Sequence, residues 1–293
     1  MAEPANVACV EIGKIPIALA TSDERFLDLL RQRYGGFLSS SHPEFALEFD
    51  LIEPTAASDD DVRVRRDGDD WLLERGDFHA RWNAHTGRGK VRQNANPYAL
   101  DSVLRILHSL IISARGGFLL HAASAICDGR AFLFSGVSGA GKTTMTRLAP
   151  ADVTLLTDEI SYVRPDVRPD ACGYSAFGTP FAGELARPGE NCSAPISALF
   201  FLEQGPENRV DELSSADAVR RLMRNILFFA EDHNLVDQLL ATACDFINRV
   251  PIRRLTFYPD SKVWDVVRSF NPNSEPDFEP SVPRDFSGVP EHA

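Results

Sequence analysis

The alternation of apolar and polar positions changes character along the chain. Residues 15–20 form a short apolar run that predicts a strand, and Ser22 or Asp23 behind it can cap a helix. Phe26, Leu27, Leu29, Leu30 and Tyr34 share one face of that helix, which Gly35-Gly36 ends. Over 45–91 the spacing shortens: extended segments at 45–49, 62–65, 71–73 and 78–82 are separated by turns such as Asp67-Gly68 and Gly76-Asp77 and predict an antiparallel meander. Pro97 opens a helix with Leu100, Val103, Leu104, Leu107, Leu110 and Ile111 on one face, stopping at Gly116-Gly117. Strands at 118–126 and 131–134, joined at Asp128-Gly129, precede a helix that starts at Gly141 and ends by Pro150, and 153–157 is the next strand. A crossover of that length predicts parallel pairing. The expected fold class is therefore α/β, with the main core over 96–268 and a smaller N-terminal α+β domain over 1–95. Further on, 196–202 and 252–258 read as strands. Between them lie a helix capped by Ser214 or Ser215, bearing Val219, Leu222, Met223, Ile226 and Leu227, and a second with Leu235, Val236, Leu239, Leu240, Ala243, Phe246 and Ile247. Residues 269–293, an acidic stretch rich in proline and serine, predict a disordered tail.

With 293 residues, 44% hydrophobic and 25% charged, the chain reads as soluble and globular. Its formal charge of -12 disfavours a nucleic-acid surface, since phosphate backbones are held through clustered Lys and Arg. Lysine occurs only at Lys14, Lys90, Lys142 and Lys262, which makes a lysine inside a glycine-rich loop a pointed choice. Cys9, Cys127, Cys172, Cys192 and Cys244 are scattered and form no C-x-x-C pair, which argues for a reduced, cytoplasmic setting. The most apolar helical stretch, around 103–112, is interrupted by Arg105, His108 and Ser109, so no membrane partner is expected.

The stretch Gly136-Val137-Ser138-Gly139-Ala140-Gly141-Lys142-Thr143-Thr144 fits the phosphate-cradling pattern G-x-x-x-x-G-K-[ST] directly after an apolar strand. Glycines let the backbone wrap closely enough for its N–H groups to meet phosphate oxygens, Lys142 reaches the outer phosphates, and the Thr143 hydroxyl meets Mg²⁺. Gly136, Ser138, Gly139, Ala140, Gly141, Lys142, Thr143 and Thr144 are thus the expected ATP-binding set. Asp158 and Glu159, at the carboxyl end of the following strand, are placed to ligate Mg²⁺ with Thr143 or to accept the proton of an attacking hydroxyl. His121 is a candidate partner for a carboxylate or the transferring phosphate. Arg187, in the turn-rich region after Phe177-Gly178-Thr179-Pro180 and Glu184, is a candidate for steadying charge on the phosphoryl group.

The succession of His121, the loop 136–143, and Leu155-Leu156-Thr157-Asp158-Glu159 resembles, in order and spacing, the catalytic core of HPr kinase/phosphorylase and its relatives. The resemblance lies within about 100–265. It implies a phosphoenolpyruvate-carboxykinase-type nucleotide fold, ATP and Mg²⁺ held by Lys142 and Thr143, and Asp158 as the base that takes the proton of a serine on a protein or peptide. Glu159 stands where that family usually has a second aspartate, and Thr143 replaces its common serine.

The expected function is accordingly an ATP-dependent kinase acting on a hydroxyl of a peptide, protein or small molecule, a serine first. Two alternatives are a nucleotide-responsive binding protein without transfer and a carboxykinase-like enzyme on a small acid. The N-terminal domain is expected to recognise the acceptor, for example by adding a peptide strand to a sheet edge, or to form a homo-oligomer.

Overall fold

The computed structural model describes residues 6–53, 61–166, 173–185 and 187–270. β1 (Asn6–Ile12) and β2 (Ile15–Thr21) form a hairpin whose two turn residues, Gly13 and Lys14, both have left-handed φ, 61° and 59°, as a two-residue turn of this twist requires. α1 (Glu24–Arg33) is capped by Asp23, which accepts the Phe26 amide at 2.8 Å. β3 (Phe45–Leu51), β4 (Arg63–Asp67), β5 (Asp70–Arg75), β6 (Phe78–Asn83) and β7 (Arg88–Gln93) complete a seven-stranded sheet in the order β1-β2-β3-β7-β6-β5-β4. The run β4 to β7 is the antiparallel meander that the turns predict. β3 departs from it, pairing parallel with both β2 and β7, because α1 supplies the crossover that a parallel neighbour of β2 needs. Both outer strands of this sheet are met by bridging residues, Val10 by Leu38 and Val64 by Ala230, so neither presents a fully open edge to an incoming peptide strand.

α2 (Pro97–Ser113) follows, with Asn96 capping through the Tyr98 amide and Pro97 at its start. Its buried face joins the N-terminal sheet and α1 in one apolar cluster that also takes in Leu119, Ile160 and Tyr162. Then come β8 (Phe118–Cys127), β9 (Arg130–Ser135), α3 (Lys142–Arg147), β10 (Thr154–Thr157), β11 (Ile160–Pro165), β12 (Tyr174–Phe177) and β13 (Ser193–Gln204). β14 (Arg209–Glu212), α4 (Ser215–Asn225), β15 (Ile226–Leu227), α5 (His233–Arg249), β16 (Ile252–Phe257) and α6 (Val263–Ser269) end the described chain. The predicted tail 269–293 lies outside the described residues except for Ser269, the last residue of α6, and Phe270, which meets the Phe200 ring edge-on.

The α/β expectation is corrected by this architecture, and with it the HPr kinase/carboxykinase type of phosphate-loop core. Among the described residues strand outweighs helix, the helical share is 28%, and five strands close a barrel in the order β8-β9-β13-β12-β11 and back to β8. All its pairings are antiparallel except β9 with β13. The reason is local: no helix separates β10 from β11 or lies in the described chain between β11 and β13, and the helix in the β9-to-β10 connection, α3, has only six residues. β10 consequently pairs antiparallel with β8 and not parallel with β9. Ile226 and Leu227, read as the end of a helix, instead form β15 against Leu120 and Leu119 of β8.

Among the described residues no helix is long and apolar enough to cross a membrane.

His108, on α2, is 1% exposed and its Nδ1 sits 3.2 Å from the Tyr162 hydroxyl. Burial, with Arg115 nearby, holds its pKa down at about 3. The folded protein keeps this ring neutral while the unfolded chain protonates it near its ordinary value, so stability is present above about pH 6.5 and lost as pH falls toward 3. Urea unfolding across that range should show the loss, and His108→Gln, which retains a hydrogen-bonding partner for Tyr162, should flatten the slope. An unchanged slope would assign the acid sensitivity to other groups.

Candidate functional site

β9 and β10 both lie antiparallel to β8, so they run in the same direction and end at the same rim. Ser135 pairs with Ala122 and Thr157 with Ser124, which brings the loop after Ser135 and the bend after Thr157 to neighbouring points. Sequence reasoning therefore brought the right segments together through the wrong pairing. At the bend, the Thr157 hydroxyl accepts the Glu159 and Ile160 amides at 3.2 and 3.1 Å and turns the chain from β10 into β11.

The glycine loop needs its glycines. Gly139 and Gly141 have φ of 78° and 111°, and a Cβ on Gly141 would lie 2.4 Å from the Phe257 ring. α3 behind the loop is anchored by the Trp264 indole, which donates to the Met145 carbonyl at 3.1 Å. Lys142 Nζ donates to the Gly136 carbonyl at 3.1 Å, and burial lowers its pKa against the opposing pull of Glu159 and Glu184. The Thr143 hydroxyl donates to Glu184 at 3.1 Å.

A cleft of about 640 Å³ gathers Ser138, Gly139, Gly141, Lys142, Thr143 and Thr144 on one side, with His121, Asp158, Glu159 and Glu184 opposite and Tyr98 and Arg105 from α2. That volume falls within the range of small-molecule sites. Gly136 and Ala140 belong to the same loop but sit behind it, where Ala140 is buried.

The two adjacent carboxylates differ in environment. Asp158 is 4% exposed, and its oxygens accept the Gly183 amide at 2.8 Å and the Leu185 amide at 2.9 Å, so it fastens the segment that carries Glu184. Glu159 is only half-buried. Burial raises its pKa, with Asp158 adding to the rise and Arg105 and Lys142 opposing it. Arg105 lies 3.6 Å from Glu159, its guanidinium packs over the Phe181 ring, and its Nε is buried without a hydrogen-bond partner. His121 pairs in register with Ile160, and burial together with Lys142 lowers its pKa, which keeps the ring neutral near pH 7.

Arg187 is not brought to this cleft. Its side chain is 73% exposed, lies 3.9 Å from Glu190, and lines a separate hollow with Val153, Thr154 and Pro188. Sequence reasoning took Arg105 only as an interruption of an apolar helix, and placed Glu184 in a segment that could complete a site without assigning it a function. The signal was there in α2: Tyr98, Asp101 and Arg105 fall at i, i+3 and i+7, one polar stripe on an otherwise apolar helix. Asp101 in that stripe is buried and accepts hydrogen bonds from Arg33 and from the Tyr34 hydroxyl, tying α1 to the rim of the cleft.

Among the described residues no group of three or more His, Cys, Asp or Glu is arranged to hold a metal ion by itself. The donors present, Thr143 with Glu184 and the neighbouring acids, fit an ion that takes its remaining oxygens from substrate phosphates and water, as Mg²⁺ ordinarily does.

Residues 98–269 match the family model described as SynChlorMet cassette protein ScmC. That match, and not HPr kinase/phosphorylase, is the family finding, and it corrects the resemblance drawn from His121, the glycine loop and Asp158-Glu159. No curated protein matches the chain.

Proposed function

The chain belongs to the ScmC family, and we propose that its glycine-loop cleft binds ATP with Mg²⁺ and transfers the γ-phosphoryl group to a hydroxyl acceptor, a serine of a peptide or protein being the first class to test. The observation that carries this reading is the convergence in one cleft of Lys142, Thr143 and the carboxylates of Asp158, Glu159 and Glu184. Loop amides and Lys142 grip the phosphates; Thr143 and Glu184 hold the metal side. Bound Mg²⁺ would neutralise charge between the outer phosphates. Glu159 takes the acceptor proton, because its raised pKa and partial exposure suit a base, whereas both oxygens of Asp158 are already occupied by amides. Arg105 faces the same space from α2 and supplies the cation that sequence reasoning sought in Arg187.

Incubating the full chain with γ-labelled ATP, Mg²⁺ and a pool of serine-containing peptides tests the reading. Labelled peptide should appear; ATP binding with no labelled product would favour the nucleotide-responsive binding protein, for which the amide-saturated Asp158 is the supporting observation. Arg105→Gln should lower kcat about a hundredfold with little change in ATP affinity. The acid limb of its pH profile should also move to higher pH, since Arg105 is the stronger of the two cations that oppose the rise in the Glu159 pKa. An unmoved limb would take Arg105 out of contact with the base.

A further inference from the structure

α2 also lines a second pocket that the transfer reading leaves unused. Its N-terminal half, at Tyr98 and Arg105, faces the glycine-loop cleft. Near its other end, Leu110 and Ile111 meet Phe45, Trp71 and Trp82 of the N-terminal sheet and Leu235 of α5 around a pocket of about 350 Å³. A volume at the low end of the ligand-site range suits one aromatic side chain and is too small for a nucleotide. Trp82 is 5% exposed, and its indole N–H is buried without a hydrogen-bond partner. Leaving such a donor unpaired is unfavourable, and an acceptor oxygen brought by a ligand would satisfy it.

Arg66 and Arg115 line the same pocket. Arg66 packs over Trp71 at 5.8 Å and Arg115 over Phe45 at 5.4 Å, which orients both planar groups. Arg115 spends part of its fork on Glu44 at 2.7 Å. Arg66 donates to the Gly68 carbonyl and has only a long contact, 3.9 Å, to Asp232, so its terminal nitrogens have donors to spare. Aromatic rings beside arginines are the composition of binding hot spots.

We propose that this pocket docks an acidic peptide, which inserts one aromatic side chain between Trp71, Trp82 and α2, gives a main-chain carbonyl to the Trp82 indole and lays a flanking carboxylate on Arg66. The proposal does not depend on phosphoryl transfer. It would, however, hold a bound peptide about 9 Å along α2 from Arg105.

The probe is a blocked pentapeptide, Asp-Asp-Phe-Asp-Asp, added to the full chain while tryptophan fluorescence is followed. Trp71 and Trp82 line the pocket, whereas Trp264 is buried in a different cluster. A saturable change is expected, roughly tenfold weaker with Phe replaced by Ala or the acids replaced by Lys, and weakened by salt. Trp82→Phe should weaken binding about three- to tenfold by removing the donor. Arg66→Gln, at an exposed position that leaves the fold intact, should weaken it about as much and reduce the salt dependence, Arg115 remaining in the pocket. No saturable change up to about 5 mM, or equal binding of the three peptides, overturns the proposal, as does Arg66→Gln binding like the wild type.

Discussion

Lys142→Ala should remove the proposed phosphoryl transfer while leaving the fold in place. Lys142 is the one lysine in the cleft, and its ammonium is half-buried against the Gly136 carbonyl with Glu159 and Glu184 in its field. Removing a preorganised charge of this kind costs at least about a hundredfold in kcat. The nearby network should survive, because Trp264 anchors α3 through the Met145 carbonyl and does not involve the lysine. Transfer assays beside thermal unfolding make the comparison: lost turnover with an unchanged midpoint is expected. Turnover within a few-fold of the wild type would show that the loop does not hold the transferring phosphate.

Glu159→Gln should be nearly as severe, about a hundredfold to ten-thousandfold in kcat, with ATP affinity kept. Wild-type kcat should rise with pH as Glu159 loses its proton, with a midpoint above the ordinary carboxylate value because burial favours the neutral acid. The glutamine variant should lose that limb. Asp158→Asn should behave differently. An asparagine turns an N–H₂ toward one of the two amides that Asp158 now accepts, so the 183–185 segment loosens and Glu184 moves from Thr143. The outcome is a raised KM for ATP and a lower unfolding midpoint with the pH limb intact. If instead Asp158→Asn erases the limb and Glu159→Gln leaves it, the base is Asp158.

Much of this site could be read from the chain, and less of the fold. The glycine loop carries its constraint in its own residues: Gly139 and Gly141 take backbone angles that a side chain would strain, and a sequence pattern records such needs directly. Asp158 and Glu159 fall beside the loop as expected. They arrive there through β8, which separates β9 from β10, and pairing partners leave little trace in the period-two pattern of a single strand. β8 is apolar on nearly every position because it is flanked on both edges and covered on both faces, which a linear reading cannot distinguish from a strand in a parallel sheet. The barrel depends on β11 and β12, short segments interrupted by polar residues, and once these were overlooked the α/β reading followed. Arg105 escaped for a related reason: one cation in an apolar helix reads as a blemish until the fold shows that it and Tyr98 face the cleft.

Calorimetric titration of the full chain with ATP, ADP and AMP, each with Mg²⁺, tests the phosphate-loop reading most directly. Saturable ATP binding is expected, weaker for ADP and weakest for AMP, because the loop amides and Lys142 grip the outer phosphates. Equal affinity for the three nucleotides, or no heat with ATP, would contradict it.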